Sequence, residues 1–137
     1  MSRTLVICKP DAVERRLAGE ILRRLEVKGL RLVAAELRTI DVPTARHHYA
    51  EHEGKPFFAD LVAFITGGPS LLVVAEGPGD DTWKVVRTLM GPTDPAGAPP
   101  GTIRGDLGLE VTENLVHGSD SRESAQREIE LFFPALS

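Results

Sequence analysis

Cysteine is almost absent from this sequence. The single one, Cys8, lies in the apolar run TLVIC, so no disulfide can form within one chain. Structural disulfides are common in secreted proteins and rare in the cytosol, so this cysteine usage favours a reducing compartment. We therefore expect a cytoplasmic protein in which Cys8 is a small buried strand residue.

Long apolar runs are missing too. The apolar run near the N-terminus is short and is followed directly by Lys9, Pro10 and Asp11, which is unlike a secretory signal peptide. No apolar stretch approaches the roughly 20 residues that a membrane-spanning helix needs. The sequence therefore predicts no membrane partner.

An excess of positive charge is also lacking. The chain carries 16 Lys and Arg against 20 Asp and Glu, which gives a formal net charge of −4. Proteins that bind nucleic acid through bulk charge are basic, so no specific nucleic-acid partner is expected, although a local basic pocket is still possible. The length of 137 residues predicts one domain, residues 1–137, with room for a real core.

The common nucleotide-binding loops are absent as well. Gly54 and Lys55 are followed by Pro56, so they do not complete a G-x-x-x-x-G-K-[ST] loop. Gly77 and Gly79 lack the third glycine of a G-x-G-x-x-G loop. If this protein handles phosphates, it uses neither of these loops.

The apolar pattern predicts strands that alternate with helices. Runs of apolar residues indicate strands, and apolar residues on one face at i, i+3 and i+4 indicate helices. Such alternation is typical of a parallel, doubly wound sheet. The predicted strands are 5–8, 31–40, 71–75 and 111–116, and the predicted helices are 18–28, 43–53, 58–65, one that begins near Asp81 and one that begins near Ser121.

One segment, Gly91 to Glu113, does not fit this alternation. Its 23 residues include five glycines and four prolines. A loop this long inside a compact domain is usually functional or disordered, and an ordered loop that wraps over a ligand is the better prediction because a strand and a helix follow at once. Arg104 is the only basic residue in the segment, and Thr93 supplies a hydroxyl.

Three histidines cluster in the stretch ARHHYAEHEG. His48 and His52 have the i, i+4 spacing of zinc ligands, but Tyr49 stands where a metalloprotease needs glutamate. No further ligands are visible, so we interpret these two histidines and His47 as a solvated helix face. A metal-dependent hydrolase built on the three is kept as an alternative. Phe57 and Tyr49 flank a helix break, where aromatic residues more often pack than bind ligands.

His117 is the one histidine outside that cluster. It ends an apolar run and is followed by Gly118, Ser119, Asp120 and Ser121, the residues expected where a strand stops and a capped helix starts. Capping explains the serines and the aspartate but not the histidine. A general base, a metal ligand and a nucleophile all remain open, since an imidazole with a pKa near 6.5 is largely neutral and nucleophilic at pH 7.

The sequence resembles the nucleoside diphosphate kinases along essentially its whole length. The stretch from Asn114 to Asp120, NLVHGSD, is similar to the active-site signature of that family. TLVICKPDAV, HYAEHEGKPFF, PGTIRGD and ESAQREIELFF resemble the same family in the same order. Such a set of matches is far more specific than any one motif.

The resemblance implies an α+β fold and an activity. The fold is a ferredoxin-like βαββαβ core with a four-stranded antiparallel sheet and added helices, which replaces the parallel sheet expected from the alternation. The activity is ping-pong transfer of a γ-phosphoryl group, usually from ATP, to a nucleoside diphosphate through a phosphohistidine. Phosphoryl transfer depends mainly on positioning and on cations, so Lys and Arg near a nucleophile fit this chemistry.

The resemblance also implies a role for each site residue. His117 is the nucleophile, and Glu128 and Ser119 hold its imidazole and fix the tautomer. The nucleotide-binding residues are Lys9, which touches the transferring phosphoryl group, Tyr49 beside it, Phe57 under the base, Arg87, Thr93 and Arg104 at the phosphates, and Asn114 at the sugar hydroxyl.

Partners and a cofactor follow from the same resemblance. Mg²⁺ should bridge the phosphates of the nucleotide, with no metal site built from protein residues. A homo-oligomer is expected, with a hexamer favoured over a tetramer. The alternative from another class is a binding module that keeps the fold but has lost the chemistry; intact Lys9, Arg104, Asn114 and His117 speak against it.

Overall fold

Four strands form one antiparallel sheet in the computed structural model, which describes residues 1–136. The order across the sheet is β2-β3-β1-β4. β1 is central, and it pairs antiparallel with both β3 and β4. The strands are β1 (Ser2–Cys8), β2 (Arg31–Arg38), β3 (Ser70–Gly77) and β4 (Val116–Gly118).

Seven α-helices cover both faces of this sheet in the described part of the chain. They are α1 (Pro10–Glu14), α2 (Ala18–Lys28), α3 (Val42–His48), α4 (Phe58–Thr66), α5 (Thr82–Met90), α6 (Ile103–Leu107) and α7 (Arg122–Phe132). Short 3-10 segments lie at Ala50–His52, Pro95–Gly97 and Pro134–Leu136. No described helix is long and apolar enough to cross a membrane.

The alternation of side chains along β1 divides the core into two layers. Val6 and Cys8 pack in one cluster with the inner faces of α2 and α5. Leu5 and Ile7 pack on the opposite face with α3, α4 and α7. Because successive residues of a strand point to opposite faces, one strand buried on both sides serves both layers. The expected burial of Cys8 is confirmed, and it raises the pKa of the thiol to about 12.

The ferredoxin-like α+β fold implied by the resemblance is confirmed, and the parallel sheet expected from the alternation alone is wrong. Two predicted elements differ most from the observed ones. The predicted helix 43–53 ends at His48, and Tyr49 separates it from a 3-10 turn. The predicted last strand 111–116 is replaced by the short β4, and Leu115, just before it, has a φ of 75°.

The segment 91–113 is ordered by its own contacts. It contains the turn Pro95–Gly97 and α6, and Thr102 caps α6 by accepting a hydrogen bond from the Gly105 amide. Gly91 opens the segment with a φ of 85°, and a β-carbon there would lie 2.7 Å from the Thr102 hydroxyl oxygen. Glycine is therefore required where the segment folds back onto α6.

Candidate active site

A cleft of about 230 Å³ lies where β4, α3 and the 91–113 segment meet. Eight of the ten residues that the resemblance implies line it: Lys9, Tyr49, Arg87, Thr93, Arg104, Asn114, His117 and Glu128. A larger groove of about 880 Å³ beside α7 and the start of β1 contains none of the ten. The residues that the motifs single out therefore converge on the smaller cleft.

β4 carries the His117 imidazole into this cleft. The strand pairs with β1, and His117 lies opposite Ile7. Its Nε2 lies 3.0 Å and 3.1 Å from the two carboxylate oxygens of Glu128. A carboxylate only accepts hydrogen bonds, so this contact places a proton on Nε2 and leaves the lone pair of a neutral ring on Nδ1.

Glu128 is itself held firmly. It lies on α7, whose N-terminus is capped by Ser121, and its side chain is 4% exposed. The Ser119 hydroxyl donates to Glu128 Oε1 at 2.6 Å and accepts from the Leu5 amide at 3.3 Å. Burial alone would raise the pKa of Glu128, but the His117 imidazole and the Ser119 hydroxyl outweigh it and lower the pKa to about 2. Glu128 is thus ionised whenever it orients His117.

Lys9 supplies the first buried cation of the cleft. It follows the end of β1, and its Nζ donates to Asn114 Oδ1 at 2.6 Å and to the Thr112 carbonyl at 3.2 Å. The pKa of Lys9 is lowered to about 8, chiefly by burial; Asp11 opposes this shift and Arg104 adds to it. An anion bound beside Lys9 would raise this pKa again, so the cleft suits a negatively charged ligand.

Arg104 supplies the second cation and also joins three backbone segments. It lies on α6 and is 5% exposed. Its guanidinium donates to the carbonyls of Asn114 (3.2 Å), Gly91 (3.0 Å) and Val116 (2.6 Å). Burial and then the charge of Arg87 lower the pKa of Arg104 to about 10. Arg87, on α5, donates to the Gly118 carbonyl at 3.1 Å, so it lies beside the histidine strand.

Asn114 links the two sides of the cleft. Its amide nitrogen donates to the Thr93 carbonyl at 3.0 Å, while its oxygen accepts from Lys9. The next residue, Leu115, holds its positive φ because its amide donates to Asp11 Oδ2 at 3.0 Å and its carbonyl accepts from the Lys9 amide. Sequence reasoning missed this role of Asp11.

Two aromatic residues lie at or near the cleft: Tyr49 lines it, and Phe57 packs beside His52, which also lines it. Tyr49 is half-buried where α3 ends, and burial raises its pKa to about 12. Phe57 is 45% exposed and lies just outside the cleft lining. Its ring is 5.3 Å from the His52 ring, and the Lys55 ammonium is 5.8 Å from its centroid. An exposed ring at the rim of a cationic cleft can stack on a planar ligand.

His48 contradicts the expectation of a solvated helix face. It is only 4% exposed, and its ring centroid lies 4.7 Å from that of His117. The signal that could have revealed it is weak: on α3 it lies three residues after Ala45, the other buried residue of that helix. His47 is exposed, so among the described residues the three histidines do not converge on a metal site, and the alternative of a hydrolase built on them has no support.

Comparison with known proteins agrees with this geometry. The family model described as nucleoside diphosphate kinase matches residues 2–137. The chain is 62% identical over 135 residues to a nucleoside diphosphate kinase of Mycolicibacterium gilvum, and 98% of each chain is covered. It is 58% identical over 137 residues to one of Thermobifida fusca, with 100% of both chains covered.

The chain belongs to the nucleoside diphosphate kinase family.

Solved structures support the same assignment. A halophilic nucleoside diphosphate kinase from Halobacterium salinarum in complex with CDP has a TM-score of 0.92 and 52% identity, covering 96% of this chain and 87% of that one. A nucleoside diphosphate kinase family protein from Babesia bovis has a TM-score of 0.94 and 46% identity, covering 99% and 90%. These matches confirm the prediction that the protein is a nucleoside diphosphate kinase, which is a phosphotransferase.

Acid should destabilise this kinase through His48. Burial lowers the pKa of His48 to about 3, and the charge of His117 acts in the same direction. Unfolding restores a pKa near 6.5, so the unfolded chain binds the extra proton first, and stability is lost as pH falls from about 6.5 towards 3. As pH falls through this range, the free energy of unfolding should decrease in both proteins. We expect the decrease in the wild type to exceed that in His48→Asn by about 1.4 kcal/mol per pH unit. Urea unfolding between pH 4 and 7 measures this.

The matched control is His47→Asn, one residue earlier and exposed. It should follow the wild-type pH dependence. An equal acid sensitivity of the His48 variant and the wild type would contradict the assignment of a buried, uncharged imidazole.

Proposed function

We propose that this kinase transfers the γ-phosphoryl group of a nucleoside triphosphate to a nucleoside diphosphate by a ping-pong mechanism through His117. In the first half-reaction the Nδ1 lone pair forms an N–P bond while the bond from phosphorus to the β,γ-bridging oxygen breaks. The diphosphate leaves with that electron pair. A second diphosphate then takes the phosphoryl group back by the reverse sequence.

The observation that carries this proposal is the pairing of His117 Nε2 with Glu128. A nucleophilic imidazole needs one free nitrogen and an orienting group on the other. With Nε2 engaged at 3.0 Å, Nδ1 is the nitrogen left for the phosphoryl group. Phosphorylation at Nδ1 places positive charge on the ring while the proton stays on Nε2, and the adjacent carboxylate stabilises that charge.

The cations of the cleft fit the rest of the reaction. Charge in a loose transition state spreads over the equatorial phosphoryl oxygens, and fixed positive groups stabilise it. We assign Lys9 and Tyr49 to the transferring group and Arg87, Thr93 and Arg104 to the other phosphates. All five line the cleft with His117. Glu128 and Ser119 keep the nucleophile oriented.

We assign the nucleoside to the mouth of the cleft. We assign Asn114 to the sugar hydroxyl and the exposed ring of Phe57 to stacking on the base. Stacking requires only a π-face, so it tolerates every base. The CDP bound to the Halobacterium salinarum relative supports a nucleotide at this fold.

We propose that Mg²⁺ enters with the nucleotide as part of the substrate. Within residues 1–136, the side chains close enough together to hold a metal ion are those of His48, His117 and Glu128. Two imidazoles and one carboxylate do not suit Mg²⁺, which prefers oxygen ligands in an octahedral arrangement. The phosphate oxygens of the nucleotide would therefore supply the ligands of Mg²⁺, with none from the residues of the cleft.

Isolation of the intermediate tests the mechanism. The wild type is mixed with γ-labelled ATP, freed of nucleotide and split in two. One half should carry an acid-labile, base-stable label on protein, and the other should pass its label to added nucleoside diphosphate without ATP. Initial rates with both substrates varied should give parallel reciprocal plots. A binding module without chemistry would show neither, and intersecting plots would contradict the ping-pong mechanism.

The pH dependence of substrate binding tests Lys9. Because the pKa of Lys9 is lowered to about 8, the free enzyme loses this positive charge as pH rises above 8. Above pH 8 we expect kcat/KM to decrease with increasing pH, with a limiting slope of about tenfold per pH unit. Lys9→Arg, whose guanidinium stays protonated, is the control and should show a lower but flatter profile between pH 7.5 and 9.5. The same fall in both proteins would contradict the assignment.

We also propose a single domain over residues 1–137 that assembles as a cytoplasmic homo-oligomer, with a hexamer favoured over a tetramer. Support for assembly comes from exposed apolar side chains and a free sheet edge. β2 is an edge strand, and its Leu37 is 61% exposed; Leu109 and Val111 are 85% and 54% exposed. An uncovered edge strand and exposed apolar side chains are suited to contacts between chains. Native mass measurement decides the number of subunits.

A further inference from the structure

His48 presents an unsatisfied polar group at the centre of the molecule. Its side chain is 2% exposed, yet neither ring nitrogen has a hydrogen-bond partner within residues 1–136. Buried polar side chains are nearly always paired, so an orphaned one needs an explanation. The nearest acidic atom is Glu128 Oε2, 3.7 Å from His48 Nδ1. That distance is slightly too long for a hydrogen bond and close enough for one after a small movement.

The His48 ring lies against the phosphoryl carrier and two other rings. It meets His117 edge-on, with 4.7 Å between centroids and 82° between planes. Tyr49 lies at 4.6 Å and Phe132 at 5.4 Å. A ring packed on several sides cannot turn freely, so His48 forms a fixed wall for the His117 imidazole.

The charge around His48 keeps it neutral. Burial lowers its pKa, and His117, Arg127 and His52 act in the same direction, while Glu128 opposes them. A neutral imidazole has one donor and one acceptor nitrogen. With the proton on Nδ1, the donor faces Glu128 Oε2. That oxygen also lies 3.1 Å from His117 Nε2 and 3.8 Å from Arg127 Nη2.

We propose that His48 is a positioning residue: it donates from Nδ1 to Glu128 Oε2 and packs edge-on against His117, so that the carboxylate and the nucleophilic ring keep one orientation. This inference rests on the proposed phosphohistidine at His117. Ser119 donates to Oε1, and His117 Nε2 lies 3.0 Å from Oε1 and 3.1 Å from Oε2. A hydrogen bond from His48, whose Nδ1 lies 3.7 Å from Oε2, would give that oxygen a second donor. Without His48, Oε2 loses that donor, so the carboxylate is held less firmly and the tautomer that leaves Nδ1 free is enforced less strictly.

Four substitutions separate the donor from simple packing. In His48→Asn the side-chain amide nitrogen can occupy the place of Nδ1, whereas in His48→Gln it reaches towards the place of Nε2. His48→Leu removes the polar group, and His48→Phe replaces it if the leucine variant does not fold. His47→Leu is the exposed control.

Single-turnover phosphorylation by γ-labelled ATP is the first readout. We expect the rate to fall about tenfold in His48→Leu and His48→Gln, since small losses of orientation cost rate steeply. His48→Asn should stay within about threefold of the wild type, and all variants should bind nucleoside diphosphate as tightly as the wild type. The ¹⁵N spectrum of the His117 ring is the second readout. It should show a proton on Nε2 in the wild type and in His48→Asn, and a mixture of the two tautomers in His48→Leu.

The inference is overturned if His48→Leu is phosphorylated at the wild-type rate. It is also overturned if the asparagine and glutamine variants lose rate equally while the His117 tautomer is unchanged, because packing alone would then explain the loss. A wild-type protein that forms no phosphoenzyme would instead contradict the proposed function, so the two failures are distinguishable.

Discussion

Replacing His117 with alanine should lower turnover between ATP and a second nucleoside diphosphate by about 10⁴-fold or more. The substitution removes the atom that forms the N–P bond, and no other side chain among the described residues of the cleft offers an equivalent nitrogen beside Glu128. His48 is the nearest candidate, but it is buried and its Nδ1 faces Glu128 at 3.7 Å. A coupled assay of nucleoside triphosphate formation measures the effect.

Nucleotide binding provides the control for this experiment. Lys9, Arg104 and Asn114 are untouched in His117→Ala, so the variant should bind nucleoside diphosphate within about threefold of the wild type, as for a group that acts in the transition state rather than in binding. His47→Ala, an exposed histidine, should keep full turnover. Substantial activity in His117→Ala would mean that phosphoryl transfer does not pass through this residue.

Replacing Arg104 with alanine should have the second largest effect, because two functions are lost together. Its guanidinium satisfies the buried carbonyls of Asn114, Gly91 and Val116, and each buried group left without a partner costs about 1–3 kcal/mol. The cleft also loses a fixed positive charge, a loss that typically costs about 10²–10³-fold in rate. We expect kcat/KM to fall at least 100-fold and the free energy of unfolding to fall by several kcal/mol.

Arg104→Lys separates these functions. Lysine keeps the charge but cannot reach three carbonyls in three directions with one ammonium group. The variant should regain part of the rate while stability stays below that of the wild type. Arg15→Ala, which removes an arginine that donates to the Leu107 carbonyl from the surface, is the control and should change neither quantity much. Wild-type stability in Arg104→Ala would contradict the role of Arg104 in joining the three segments.

The local elements of this fold follow from the sequence, whereas the strand directions do not. The pattern of apolar residues predicts α2 with the observed bounds and finds the core of β1. It cannot say that β1 pairs antiparallel with β3, because that pairing joins residues about 70 positions apart, such as Ser2 and Gly77. Alternating strands and helices fit both a parallel and an antiparallel sheet. Here the resemblance of the motifs, not periodicity, predicted the correct topology.

The site residues also divide into those that the sequence predicts and those that only the folded structure reveals. The spacing of His117, Gly118 and Ser119 marks the end of a strand, and it leaves the chemical role of the imidazole open. Nothing in that spacing indicates that Glu128 returns to Nε2, because this contact depends on how α7 packs on the sheet. His48 and Asp11 were missed for the same reason: one is buried by α7 and β4, and the other accepts a hydrogen bond from Leu115, 104 positions away.

The most direct test of the account is the position of the phosphoryl group on the isolated phosphoenzyme. NMR spectroscopy of the ¹⁵N-histidine-labelled protein distinguishes Nδ1 from Nε2 phosphohistidine and assigns the residue. Because Glu128 occupies Nε2, the account predicts a single phosphohistidine, at Nδ1 of His117. A phosphoryl group on Nε2 of His117, or on any other residue, would contradict it.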